Sequence, residues 1–275
     1  MTATTVHASS SIARRGAASA AFAGFRPLFR KDIAEWGSGK RAWIVLGVTA
    51  VFMALGAANA AINAWVIKNV PEAAQAGADK LISLAPLDNV LTAVAAQIFI
   101  LAAIFAAMSL LVVERDRGTL SWIASKPVSR TSIWVSKWAS ATAVLIVIAA
   151  VVPMIVTTVV AAVLYGPPPV AAIVVVTIGM AAAIALFVAV TLAASTFVAS
   201  QPAAAAIGFA VFLAPAILLG ILPAAVAPFF PTSIVNWSVG LATGDSVGVI
   251  TPIAWAVSLV VLGVVSARRM GSLEL

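Results

Sequence analysis

The chain alternates between long runs almost free of charge and short polar or helix-breaking interruptions. Uncharged runs extend from about Ala42 to Ile67, Asn89 to Val113, Trp138 to Leu164, Val170 to Val198, Ala203 to Leu222 and Ile250 to Ala267. Each is long enough to cross a hydrocarbon core of about 30 Å as a helix rising about 1.5 Å per residue. Gly166-Pro167-Pro168-Pro169 and Ser200-Gln201-Pro202 turn the chain between neighbouring runs. The pattern predicts an all-α membrane protein whose transmembrane domain, residues 42–267, contains six spans.

Ahead of the first span the period changes. Between Phe25 and Trp36, Phe25, Leu28, Phe29, Ile33 and Trp36 fall at helical spacing on one face, while Arg26, Arg30, Lys31 and Glu35 lie elsewhere. Asp32 interrupts the apolar face. Residues 25–41 therefore read as an amphipathic helix lying in the headgroup plane, the plainer alternative being a basic juxtamembrane segment. Residues 1–24 are rich in Ala, Ser and Thr without apolar periodicity and read as a disordered tail. Arg14-Arg15 before small residues resembles the start of a signal peptide, but Gly16 to Phe25 is too poor in large apolar residues for its core. His7, the single histidine, falls in this tail and reads as solvated.

The longest charged interruption is residues 114–137, with seven ionisable side chains: Glu114, Arg115, Asp116, Arg117, Lys126, Arg130 and Lys137. Each Arg, Lys or Asp at the centre of a membrane helix costs several kcal/mol, so this block must be a loop between spans. Within it Gly118 frees the backbone and Thr119 can cap a helix starting at Leu120. Leu120, Trp122 and Ile123 give that helix apolar contacts. Pro127 stops it, and Ser129 or Thr131 can cap the next. An aromatic residue flanked by cations suits a docking surface; the alternative is a basic loop that serves only topology.

Composition sharpens the class. Of 275 residues, 63% are hydrophobic and 9% charged, against roughly 25% charged in a soluble domain; the mean hydropathy is +1.14. The absence of cysteine excludes disulfides, thiol redox chemistry and thiolate-bound metals. The net charge of +7 acts through its placement rather than by attracting nucleic acid. Seven Lys or Arg precede the first span, five lie in the 114–137 loop and two, Arg268 and Arg269, follow the last span in the 268–275 tail. Only Lys68 and Lys80 fall on the other side. This bias places both termini and the charged loop in the cytoplasm of a multi-pass protein of the cell membrane, and an even number of spans agrees with it.

Two outward segments remain. Lys68 to Asp88 reads as a polar, partly helical loop. Residues 223–249 are apolar and aromatic, broken by Pro223, Pro228 and Pro231, and charged only at Asp245; they read either as a re-entrant or interfacial segment packed on protein, or as a mobile external loop.

Motifs for chemistry are missing. Gly37-Ser38-Gly39-Lys40 has Ala34 where a phosphate loop needs glycine, and no strand precedes it. No zinc-protease motif, acidic metal cluster or nucleophile elbow occurs. The spans hold no ionisable residue between their ends, which argues against proton coupling and intramembrane proteolysis. Asn59, Asn63 and Gln97 are among the mild polar groups inside them. Asn59 and Asn63 share a helix face and serve either a substrate path or helix packing. Such a chain needs its energy supplied by a partner at the cytoplasmic face.

The run Glu114-x-x-x-Gly118-Thr119-Leu120, then Ser125-Lys126-Pro127-Val128-Ser129-Arg130 and Lys137, resembles the first cytoplasmic loop of type-2 ATP-binding-cassette exporter permeases, in particular the small six-span subunits. The amphipathic N-terminal elbow helix, six spans, internal termini and larger segment before span six fit the same layout. The resemblance implies a permease fold in which Gly118 to Ser125 form a coupling helix seated in a groove of a separately encoded ATPase. Glu114, Gly118, Thr119, Leu120, Trp122, Ile123, Ser125 and Arg130 are then the docking residues. It further implies two ATPase subunits carrying the ATP and Mg, no cofactor on this chain, a second permease copy or paralogue, and a lipid environment. Spans one, two and five would shift as ATP closes the ATPase pair. Two features depart from the family pattern: the long tail before Phe25, and Trp122 where an aliphatic residue is expected. The rival classes are a secondary transporter or channel, and a membrane assembly subunit that transports nothing.

Overall fold

A computed structural model describes residues 23–70 and 84–272. The expectations for the N-terminal tail, for most of the loop after Lys68 including Lys80, and for residues 273–275 lie outside the described residues. Every regular element among those described is helical. In chain order the α-helices are α1 Phe25–Ser38, α2 Lys40–Ala57, α3 Asn59–Asn69, α4 Pro86–Ala95, α5 Ile98–Ala107, α6 Val112–Asp116, α7 Thr119–Ala124, α8 Arg130–Leu145, α9 Val152–Tyr165, α10 Val170–Ala194, α11 Gln201–Leu218, α12 Ile234–Thr243 and α13 Ile250–Ser272.

Six of the resulting rods are long and apolar enough to cross a membrane: α2, the α4–α6 rod, the α8–α9 rod, α10, α11 and α13. α10 is the axis of the bundle. From Ala183 to Ala194 all of its side chains are buried, and the indoles of Trp138 and Trp255 donate to its carbonyls at Ala185 and Ala182, 3.0 and 2.8 Å away. An indole N–H inside hydrocarbon has no water to turn to, so a neighbouring carbonyl is where it must go. Elsewhere long apolar faces stay exposed, such as Trp43, Val51 and Leu55 on α2 and Val257, Val260 and Val264 on α13, as lipid contact requires.

The second and third spans are interrupted. The second span bends at Gln97, which holds a left-handed conformation at φ 52°, and unwinds again between α5 and α6. The third passes through a π-helical turn at Ile146–Val151 immediately before Pro153. Proline has no N–H and its ring collides with the carbonyl four residues back, and a π turn absorbs both problems. Thr49 Oγ1 donates to the Ile148 carbonyl in that turn at 3.2 Å.

The segment before α13 folds onto protein. Two 3₁₀ turns, Ala224–Phe229 and Pro231–Ser233, lead into α12, and α12 buries Ile234, Val235 and Ser238 against α10. The approach is close: a Cβ on Gly179 would lie 2.0 Å from Ser238 Oγ. Glycine to alanine inside a helix ordinarily gains up to about 1 kcal/mol, whereas overfilling a packed contact loses about 1–3 kcal/mol. Here the clash dominates. Gly179→Ala should lower the unfolding midpoint in detergent, and adding Ser238→Gly should restore much of it; a stabilised single variant would mean that α12 does not rest on α10.

Candidate functional site

The charges gather at one end of the bundle, where α1, the 114–137 loop and the end of α13 meet. α7 is a single short helix perched on the helix ends. Gly118 enters it at φ 69°, a conformation that costs a side-chain-bearing residue about 1 kcal/mol or more and glycine nothing. Thr119 is already helical, and its hydroxyl donates to the Glu114 carbonyl at 3.0 Å, bracing the turn. Leu120 and Ile123 point into a small core with Leu111, Ile133, Trp134, Leu192 and Met270. Trp122 faces away and is 63% exposed, with Lys126 Nζ 3.6 Å from the centre of its ring. The short helix is thus anchored by one face and presents the other. Ser125 Oγ donates to the Trp122 carbonyl at 2.8 Å and ends the turn. Ser129 caps α8 by accepting from Ser132 N at 3.0 Å.

The loop is fastened at both roots. Arg115 donates to the Val198 carbonyl at 2.7 Å, just beyond the end of α10. Arg130 donates to the carbonyls of Met270 and Gly271 at 2.8 and 2.9 Å, in the last turn of α13 where the helix dipole favours a cation.

Beneath α7 lies an ionic cluster that joins three separate elements. Glu114 Oε1 receives Lys137 Nζ at 2.8 Å and Lys31 Nζ at 3.1 Å. Lys137 also reaches Asp32 Oδ1 at 3.6 Å, and the other Asp32 oxygen accepts from Ser136 Oγ at 2.5 Å. Glu35 completes the group, 3.6 Å from Lys31. The side chains of Lys137 and Asp32 are only 5% and 8% exposed, so these are desolvated charges. Asp32, Glu35 and Glu114 converge closely enough to hold a cation, and two lysines supply that positive charge. Burial draws the Lys31 pKa down, but the charge and hydrogen bond of Glu114, with Glu35 and Asp32, outweigh it and hold the ammonium above its ordinary value. A lysine raised in this way stabilises the fold below its ordinary pKa and loses that contribution only as pH climbs through the raised value, well above neutrality.

Arg41 makes a second tie. Its guanidinium lies over the Trp36 ring, 5.2 Å from the centroid, and donates to the carbonyls of Phe105 and Ala106, where α5 ends before the unwound stretch. One arginine thereby connects α1, α2 and the second span.

In the half of the bundle away from this end, a cavity of about 240 Å³ opens beside Gln97. Its lining combines apolar Phe187, Phe212 and Pro215 with polar Gln97, Thr232, Ser233 and Asn236. Asn59 and Asn63 sit half-buried on α3, and neither lines this cavity.

The structure therefore divides the sequence-identified loop residues. Trp122, Thr119, Gly118 and Ser125 are exposed, Leu120 and Ile123 are buried, and Glu114 and Arg130 turn back into the bundle. Sequence reading missed the ionic cluster, together with Arg41 and Arg115 as helix-end partners. One signal was available: Asp32 lies on the apolar face between Leu28 and Trp36, and a lone carboxylate on a buried face requires a cation.

A family model described as "ABC-2 family transporter protein" matches residues 26–266. No curated protein matches the chain.

Proposed function

The chain belongs to the ABC-2 transporter family, and from that premise we propose that it is the permease subunit of an ATP-driven exporter, powered by a separate nucleotide-binding subunit docked on α7. The observation that carries this reading is the two-sided α7, with Leu120 and Ile123 buried beneath it and Trp122 offered outward under Lys126. An aromatic anchor presented on a rigid base is what a protein partner binds most strongly. In this account both termini and α7 lie in the cytoplasm, in keeping with the Lys and Arg bias, and the membrane is the cell membrane. Two ATPase subunits carry the ATP and Mg and serve two permeases, either two copies of this chain or this chain with a paralogue.

Closure of the ATPase pair on ATP pushes α7. Because Glu114, Lys137, Lys31 and Asp32 fasten the loop roots to α1, the push moves α1, the second span and the third span as one lever. One ligand-driven equilibrium thereby biases another. The cavity at Gln97 provides a mixed polar and apolar station on the path, suited to an amphiphilic cargo.

Affinity purification of the tagged chain from membranes of its own cells tests the assignment. The expected result is co-purification of a P-loop ATPase that hydrolyses ATP in the complex. Recovery of a complete, active transporter containing no ATPase would support the secondary-transporter reading instead.

A further inference from the structure

We propose that the groove between α10, α11 and α13 is a binding site for one anionic phospholipid of the leaflet that faces the charged end. The groove encloses about 540 Å³ and its lining includes Phe197, Ile207, Val211, Val257, Val261 and Val265. It exists because α11 packs against α10 while leaving a gap toward α13. On α13 the lining stripe runs Val257, Val261, Val265, and the same helical spacing then places Arg268 and Arg269 next in line. From Val257 to Val265 the helix rises about 12 Å, close to the depth of one leaflet of a hydrocarbon core about 30 Å thick. The stripe is therefore apolar for one acyl-chain depth and doubly cationic at headgroup depth.

Charge complementarity selects the occupant. Arg268 and Arg269 are exposed. The Arg269 guanidinium sits 5.5 Å from the ring centroid of Phe197, a residue that lines the groove, so it is held at the mouth. Arg115 is bonded to the next carbonyl, that of Val198, and adds a third cation to the same corner. A phosphodiester headgroup meets these guanidiniums while its chain fills the space between α11 and α13. A second protein copy would bring an apolar helix to the groove and leave the arginines without anions. The lipid then acts as a wedge on α11, so its presence sets how readily that span moves against α13.

The inference rests on the cytoplasmic placement of Arg268 and Arg269 for its choice of leaflet, but not for binding itself. The test is native mass spectrometry of the intact chain, delipidated in detergent and titrated with dioleoylphosphatidylglycerol or dioleoylphosphatidylcholine. Phosphatidylglycerol is expected to be retained at one equivalent per chain in preference to phosphatidylcholine. The R268Q/R269Q variant is expected to weaken retention about 30-fold, since each basic residue near an anionic headgroup contributes about fivefold. Val261→Trp, at a position 52% exposed, is expected to abolish it by filling the groove while leaving both arginines in place. Equal retention by wild type and R268Q/R269Q would overturn the proposal. So would displacement of the lipid by millimolar inorganic phosphate, which would reduce the site to an anion contact, or disulfide capture of a second copy through Val261→Cys. Labelling of Arg269→Cys from outside intact cells would instead contradict the orientation, leaving the groove's affinity standing.

Discussion

Lys137→Met is expected to destabilise the protein by about 3–5 kcal/mol, the range for removing one partner from a buried ion pair and stranding the other. Lys137 contacts two carboxylates, Glu114 and Asp32, and Glu114 Oε2 already lacks a hydrogen-bond partner among the described residues. Without the ammonium, three carboxylates share Lys31 as their one cation among the described residues, and Lys31 is 44% exposed and too well hydrated to compensate. The loss should appear as a lowered unfolding midpoint in detergent and as release of α1 to limited proteolysis. Adding Glu114→Gln should recover part of it by removing one stranded charge, and this non-additivity separates an electrostatic cluster from general damage. A single-variant loss below about 1 kcal/mol, typical of an exposed pair, would show that the cluster is not desolvated in the membrane protein.

That cluster also marks the boundary of what the sequence makes legible. The six spans are visible because hydrocarbon excludes charge, so apolar runs and their polar borders map directly onto helices and their ends. The amphipathic α1 and the short α7 are visible for the same kind of local reason: helical spacing in one case, and a glycine, a threonine and a proline at the right offsets in the other. Pairing is different. Ser136 and Asp32 are separated by 104 positions, and Lys31 and Glu114 by 83, and no local pattern encodes which distant side chain answers a given charge. The bends are of mixed character. Pro153 announces a distortion in the third span, but the left-handed turn at Gln97 belongs to a residue type with no marked preference for that conformation. The fold-back of α12 onto α10 hinges on Gly179 meeting Ser238, and a glycine inside an Ala- and Val-rich span does not reveal what it faces.

The second large effect falls on assembly rather than stability. Trp122→Ala is expected to weaken association with the ATPase subunit about 30-fold or more, the loss of 2 kcal/mol or above that defines an interface hot spot. The fold should be unaffected: Trp122 is 63% exposed while Leu120 and Ile123 keep α7 seated, and alanine is the best helix former. Its unfolding midpoint should change by no more than a surface substitution changes it, within about 0.5 kcal/mol. Trp122→Phe should retain part of the affinity by keeping an aromatic face. Retention of the ATPase at wild-type strength by Trp122→Ala would make Trp122 an anchor in the membrane interface, the other common role of an exposed tryptophan in such proteins.

These two variants separate the parts of the device. Lys137→Met damages the lever while leaving the docking face in place, so the ATPase should still bind while its nucleotide state no longer reaches the spans. Trp122→Ala should remove the proposed handhold and leave the lever sound.

A photoreactive benzoylphenylalanine at position 122, activated in membranes that contain the whole transporter, tests the source of the driving force most directly. The expected product is an adduct between this chain and an ATP-binding-cassette ATPase subunit, identified by mass spectrometry, with none from the same probe at position 241, which is exposed on α12 at the other end of the bundle. A probe at 122 that captures only lipid, in membranes where the transporter is intact and working, would contradict docking on α7.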